Sequence, residues 1–162
     1  MTTEEKTQSV RDVIGAAIGR IPSGCFIVTA KSSGRHVGML ASWVMQAGFE
    51  PPSVALAVHP DRELYSVIEE ADKFSINVMG KNNLNLMKVF SKYTPDQFDQ
   101  VPNKETEYGF TLTDTIAVMQ CRLAGKLVHG DHQVLLGEVV NAFTMNMDQE
   151  PFVHLRKSGF NY

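Results

Sequence analysis

Cysteine is scarce in this chain: Cys25 and Cys121 are the only two, far apart and both inside apolar runs. A fold stapled by several disulfides is thereby excluded, and two buried free thiols are the expected state. Long apolar runs are missing as well. No stretch approaches the roughly 18 residues of a membrane-spanning helix. The opening Met1-Thr2-Thr3-Glu4-Glu5-Lys6 is acidic and polar, unlike a secretory or transit peptide, which points to the cytoplasm. Excess positive charge is absent too. A net charge of −3 gives no general attraction to nucleic acid or an anionic membrane, so any phosphate must be met locally. The Gly-x-Gly-x-x-Gly dinucleotide fingerprint does not occur, nor do internal repeats, low-complexity tracts or linkers.

What is present suits one packed domain over residues 1–162, with 43% apolar and 20% charged residues. Val10, Val13, Ile14, Ala17, Ile18 and Ile21 recur at helical spacing and predict an amphipathic first helix. Thr2 with Glu5 makes a capping box there, with Thr7 or Ser9 as the other candidate caps, and Pro22-Ser23-Gly24 stops the helix. The period then changes. Cys25–Ala30 and His36–Leu40 read as strands of a hairpin about Ser32-Ser33-Gly34-Arg35. Val54–Val58 is a short strand after Pro51-Pro52, and Asp61 is placed to cap a helix through Leu64, Val67, Ile68 and Ala71. Lys73–Met79 predicts a strand with Phe74, Ile76 and Val78 alternating against polar residues, and 82–91 a helix. Residues 92–109 are polar, hold two prolines and read as an excursion from the core. Phe110–Thr113, Ala117–Val128 and Gln133–Met145 are further strands. In the second of these, Met119, Cys121, Leu123 and Leu127 alternate with Gln120, Arg122 and Lys126 as on a strand with one wet face, and Gly125 marks a bulge or bend. Six or seven strands with short helices, never in strict alternation, predict a mainly β (α+β) antiparallel sheet closed as a barrel.

Several features invite chemistry. His129 and His132 lie three apart across a Gly130-Asp131 turn, where they do not converge as they would on a helix. No cysteine or carboxylate stands at ligand spacing nearby, so no metal site is expected. Ser23, Cys25 and Ser42 lack a nucleophile elbow. The segment from Gly38 to Pro52 differs. It holds the only tryptophan, Trp43, with Ser42, Gln46 and small residues among apolar ones, the mixture a flat aromatic cofactor needs. A plain core strand has the same composition. His132, just after the Gly130-Asp131 turn, belongs at the rim of a barrel. Arg62, Lys81, Lys88, Lys92 and Arg156-Lys157 supply cations, most of them for solvent.

Taken in order, these stretches resemble the flavin reductase-like family of split-barrel FMN-binding proteins. The resemblance is closest to the reductase module of cyanobacterial flavodiiron proteins. Its carriers are Ile21-Pro22-Ser23-Gly24, Gly38–Val44 (GMLASWV), Phe49-Glu50-Pro51-Pro52, Lys73-Phe74 with Asn77-Val78, Leu86-Met87-Lys88, Gly130-Asp131-His132, and the tail from His154 to Tyr162. They cover nearly the whole chain at plausible spacing. The resemblance implies an antiparallel split barrel, paired as a homodimer with one FMN per subunit near the interface. Leu40, Ala41, Ser42 and Trp43 would line the isoalloxazine and ribityl chain, with His59 and Arg62 near the phosphate. Lys92 would supply a cation near the flavin, His132 would stand at the flavin or nicotinamide, and Phe160 would cover the ring. Leu40 and Ser42 replace the Thr and Asn of many relatives, which shifts the expected contacts toward backbone.

The implied function is that of an FMN-binding NAD(P)H:flavin oxidoreductase, taking hydride from NADH or NADPH, with His132 as its catalytic residue. A flavoredoxin-like electron carrier with fixed FMN and a protein partner is the alternative, since no rubredoxin or di-iron module lies within these residues. A barrel holding another flat ligand, such as haem, is a third class.

Overall fold

The computed structural model describes the backbone of residues 3–161 and the side chains of residues 8–161. Thr2 and the Glu5 side chain lie outside the described residues, and Thr7 and Ser9 both stand inside the helix they were expected to cap. The chain divides into two compact units, residues 1–23 with 153–162, and residues 24–152.

In the first unit, α1 (Thr3–Ile18) meets the chain's tail on its glycines. Gly159 N–H donates to Gly15 O at 2.6 Å. A Cβ on Gly19 would stand 2.8 Å from the Arg156 carbonyl oxygen, so only glycine lets the tail lie this close. Arg20 Nη2 donates to Arg156 O at 2.8 Å, and the Arg11 guanidinium lies 4.2 Å from the Phe160 ring centre. The predicted apolar face, Val10, Val13, Ile14, Ile18 and Ile21, is exposed, with Val13 66% open.

In the second unit, β1 (Phe26–Ser32) and β2 (Arg35–Ala41) form the predicted hairpin, turning through Ser33 and Gly34 at φ 51° and 77°. β3 (Val44–Phe49) and β4 (Pro52–Val58) follow, then α2 (Glu63–Ala71), β5 (Lys73–Val78) and α3 (Leu84–Phe90). β6 (Asn103–Thr106) and β7 (Gly109–Leu112) make a small hairpin, and β8 (Ala117–His129) with β9 (His132–Thr144) a long one. The main sheet is antiparallel throughout, in the order β2-β1-β5-β8-β9-β4-β3. Its two edges, β2 and β3, are consecutive in sequence and joined only by Ser42-Trp43. Three extended steps span at most about 11 Å, so the edges must approach each other and the sheet curls into an open barrel. This is the antiparallel split-barrel architecture expected above.

Both faces of β1 are buried, which is why its sequence runs apolar without alternation. Val28 and Ala30 join a core with Leu56, Leu64, Val67, Ile68, Phe74, Ile76 and Leu135. Ile27 joins the other, with Met79, Leu86, Phe90, Phe98, Phe110 and Leu112. The excursion expected over 92–109 therefore needs correction: Phe98 stacks on Phe110 at 3.8 Å, inside that second core. The polar residues of β1 and β5 hold β7 there. Thr29 and Asn77 bond the backbone of Phe110, Asn77 Oδ1 accepts Leu112 N–H at 2.8 Å, and Ser75 donates to Tyr108 O. Ser75 and Asn77 are thus buried, not facing water. Gln120, expected on a wet face, is also buried and bonds Thr106 and Asn141.

Two further expectations change. The α2 N-cap position is Arg62, not Asp61: helical geometry begins one residue later than expected, and no side chain caps the helix there. The bulge falls on Ala124, beside Gly125: the register passes from Leu123↔Gly137 to Gly125↔Leu136.

Candidate functional site

Three of the candidate residues, Trp43, His59 and His132, meet beside the seam between the two sheet edges. Trp43 continues β3 backwards, and its carbonyl accepts Ala57 N–H of β4 at 2.9 Å. On the other flank of β4 lies β9, registered so that Gln133 faces Val58. His59, one residue beyond Val58, therefore comes level with His132. The rings are in contact: Trp43 and His132 have centroids 4.7 Å apart and tilted by 57°, while His59 meets His132 edge-on at 5.4 Å and 90°. His132 is 23% exposed and His59 37%, so both are reachable by a ligand.

Each histidine has a fixed partner at Nδ1. His132 Nδ1 bonds Asp131 Oδ1 at 3.0 Å. That bond holds the Asp131 carboxyl below the usual carboxylate range, helped by the nearby charges of His132 and His59. His59 Nδ1 accepts Asp61 N–H, and the Asp61 carboxylate stands farther off at 3.7 Å. Beneath the cluster, Tyr65 of α2 donates to Gln133 Oε1 at 2.6 Å and ties the start of β9 to the helix.

Ser42 adds an unpartnered polar atom next to the cluster. Its Oγ is buried and finds no hydrogen-bond partner among the described residues. An orphaned hydroxyl costs about 1–3 kcal/mol; Thr94, Gln97, Thr111 and Gln149 hold orphaned buried atoms as well, and Ser42 is the one directly beside Trp43 in the chain. Preceding it, Ala41 is buried in the first core, and Leu40 is half-buried against the second, on opposite faces of β2.

Lys31, Arg35, Lys73, Lys81, Arg122 and Lys126 each pair with a glutamate. Arg62 and Lys92 form no ion pair with a described residue. Arg62 is exposed at the N-terminus of α2, its N–H bonded to His59 O, and so belongs to the cluster's loop. Lys92 is exposed past the end of α3, and Phe160 lies in the first unit; no described contact joins either to the cluster. Sequence reading missed Asp61 and Asp131 as partners. Their signal was adjacency, an aspartate two residues after His59 and another directly before His132.

Residues 18–161 match the family model described as the flavin reductase like domain. The chain belongs to that family. Diflavin flavoprotein A 1 of Synechocystis sp. is 34% identical over 163 residues, covering 98% of this chain and 28% of its own. A Nostoc sp. sequence named in the same series is 39% identical, covering 97% of this chain and 29% of its own. The chain thus spans under a third of the length of these curated relatives. Among solved structures, the Streptomyces globisporus NADH:FAD oxidoreductase SgcE6 has a TM-score of 0.79 at 23% identity, over 97% of this chain and 86% of that one. The same protein is also known in complex with NAD and FAD fragments. The styrene monooxygenase flavin reductase of Pseudomonas putida S12 has a TM-score of 0.77 at 18% identity, over 86% of this chain and 90% of that one. At these identities the likeness of this flavin reductase-like chain to the solved structures is one of fold.

Proposed function

We propose that this protein binds FMN and acts as an NAD(P)H:flavin oxidoreductase, with His132 as its catalytic residue. The observation that carries the reading is the Trp43–His132–His59 cluster beside the orphaned Ser42 hydroxyl, at the open seam of a flavin reductase-like barrel. When bound, flavin takes a hydride from reduced nicotinamide and passes its electrons on. The chain's residues position and shield. Trp43 gives an aromatic wall, Leu40 an apolar contact, and Ala41, which faces the opposite side of β2, its backbone. Ser42 Oγ bonds the cofactor, and Arg62 at the start of α2 meets its phosphate. His132 orients the nicotinamide or steadies negative charge on the ring. Lys92 would be a further flavin contact by the family resemblance, while Phe160 belongs to the first unit.

The reading extends to the assembly. The family match runs across both compact units, which supports treating residues 1–162 as one domain. The open apolar face of α1 in one unit, and the exposed Met45, Leu127 and Leu136 in the other, suit a homodimer. No described helix is long and apolar enough to cross a membrane, in keeping with a cytoplasmic enzyme. A carrier with fixed FMN and a protein acceptor is the second reading, favoured by relatives whose names describe diflavin proteins in far longer chains. The purified protein decides: a yellow protein bleached by NADH or NADPH without oxygen is a reductase. One that is yellow but inert to both is a carrier, and a Soret band or indifference to added FMN removes the flavin reading.

A further inference from the structure

The two histidines of the cluster carry opposite instructions about their protons. A carboxylate can only accept, so the Asp131 Oδ1 bond at 3.0 Å places a proton on His132 Nδ1. The neutral ring then has a bare Nε2, an acceptor. His59 is the reverse. Its Nδ1 takes a proton donor, the Asp61 N–H at 3.2 Å, while the alternative carboxylate contact at 3.7 Å is beyond hydrogen-bond reach. Nδ1 is therefore bare and the proton sits on Nε2, a donor. Neither Nε2 has a hydrogen-bond partner among the described residues. The rings meet edge to face at 5.4 Å, beside the Trp43 indole.

We propose that His59 and His132 form a donor–acceptor pair of opposite tautomers that recognises an amide-type edge, one carbonyl beside one N–H. His59 Nε2–H bonds the carbonyl and His132 Nε2 accepts from the N–H. This rests on the flavin and nicotinamide reading above and deepens it by making His59 a recognition residue of the ring cluster. Both ligands of that reading display such an edge, the nicotinamide in its carboxamide and the isoalloxazine in its pyrimidine ring. A purely anionic ligand, which has no donor for His132 Nε2, does not. The pair also explains why each ring is anchored at Nδ1: an unanchored imidazole would sample both tautomers and lose the match.

The first measurement needs no ligand. Long-range proton–nitrogen NMR of the protein at pH 8 should show His132 protonated at Nδ1 and His59 at Nε2. Finding both rings in one tautomer overturns the proposal. The second removes the ligand's N–H. NADH is compared with its reduced 3-acetylpyridine analogue, and FMN with N3-methyl-FMN. Wild type should disfavour one of the two modified ligands by about tenfold, as expected when a polar group loses its partner. Discrimination in the nucleotide pair assigns the edge to the carboxamide, and in the flavin pair to the isoalloxazine. His132→Ala, with His132→Phe as a second variant keeping the ring's bulk, should abolish that discrimination; His59→Ala should weaken both ligands of the pair equally and keep it. A protein that reduces FMN with NADH but discriminates in neither pair refutes the inference while leaving the functional reading intact. One that binds neither FMN nor NADH refutes both.

Discussion

The Trp43 indole lies 4.7 Å from the His132 imidazole although the two residues are far apart in the chain. β4 brings this about by pairing with Trp43 on one side and β9 on the other. Trp43 is the only tryptophan, so its emission reports on this cluster alone. Titrating FMN should quench most of it, and Trp43→Ala should weaken FMN binding by roughly tenfold, in line with about 0.5–1.5 kcal/mol of stacking beyond lost contact area. Unchanged emission at saturating FMN would put the flavin elsewhere.

Arg62, on the cluster's loop at a helix start, forms no ion pair with a described residue. FMN should therefore bind about 10- to 100-fold more tightly than riboflavin, the worth of a charge-assisted hydrogen bond of roughly 1.5–3 kcal/mol. Arg62→Ala should close most of that gap and leave riboflavin unaffected. Fluorescence titration of both flavins against both proteins measures it.

The Asp131 carboxyl is held below its ordinary value, first by its hydrogen bond with His132. A carboxylate lowered in the folded state adds stability above its unfolded value, and that stability disappears as pH falls through the folded one. The urea midpoint of Asp131→Asn should thus trail wild type at neutral pH and converge with it in acid, below the usual aspartate range. A constant difference at all pH values would mean that the His132 bond is not its source.

Cys121 is fully buried, and burial pushes its thiol up to about 12; burial raises Cys25 as well. Neither should react with a thiol reagent at pH 8 in the native protein, and both should react in urea. Above pH 9 the unfolded chain ionises at Cys121 while the folded chain does not. Stability should therefore decline between pH 9 and 12, by up to about 1.4 kcal/mol per pH unit from this group. Cys121→Ala should remove that part of the alkaline decline, read from urea midpoints at pH 8 and 10.

Strand positions, the first hairpin and the barrel were legible because period-two apolar patterning and turn residues are local signals. The misreadings of burial share one cause. Ser75, Asn77 and Gln120 look solvent-facing by type, yet each is buried where its side chain bonds backbone or side-chain groups brought from elsewhere in the chain. Phe98 was hidden among polar neighbours for the same reason, since only the fold reveals Phe110 beneath it. At the site, Ser42, Trp43 and His132 were named through the family resemblance, since composition alone reads as a plain core strand and an exposed turn histidine. That His59 meets His132 follows from the β4–β9 register, which no local pattern encodes.

The account's central claim is that nicotinamide meets flavin at His132. Anaerobic stopped-flow reduction of FMN-loaded protein by saturating NADH and NADPH, across pH 6 to 9, tests it directly. His132→Ala should retain FMN yet be reduced about 100-fold more slowly than wild type, with an altered pH profile, as when a positioned proton donor or acceptor is lost. A wild-type rate with a wild-type pH profile would contradict the claim.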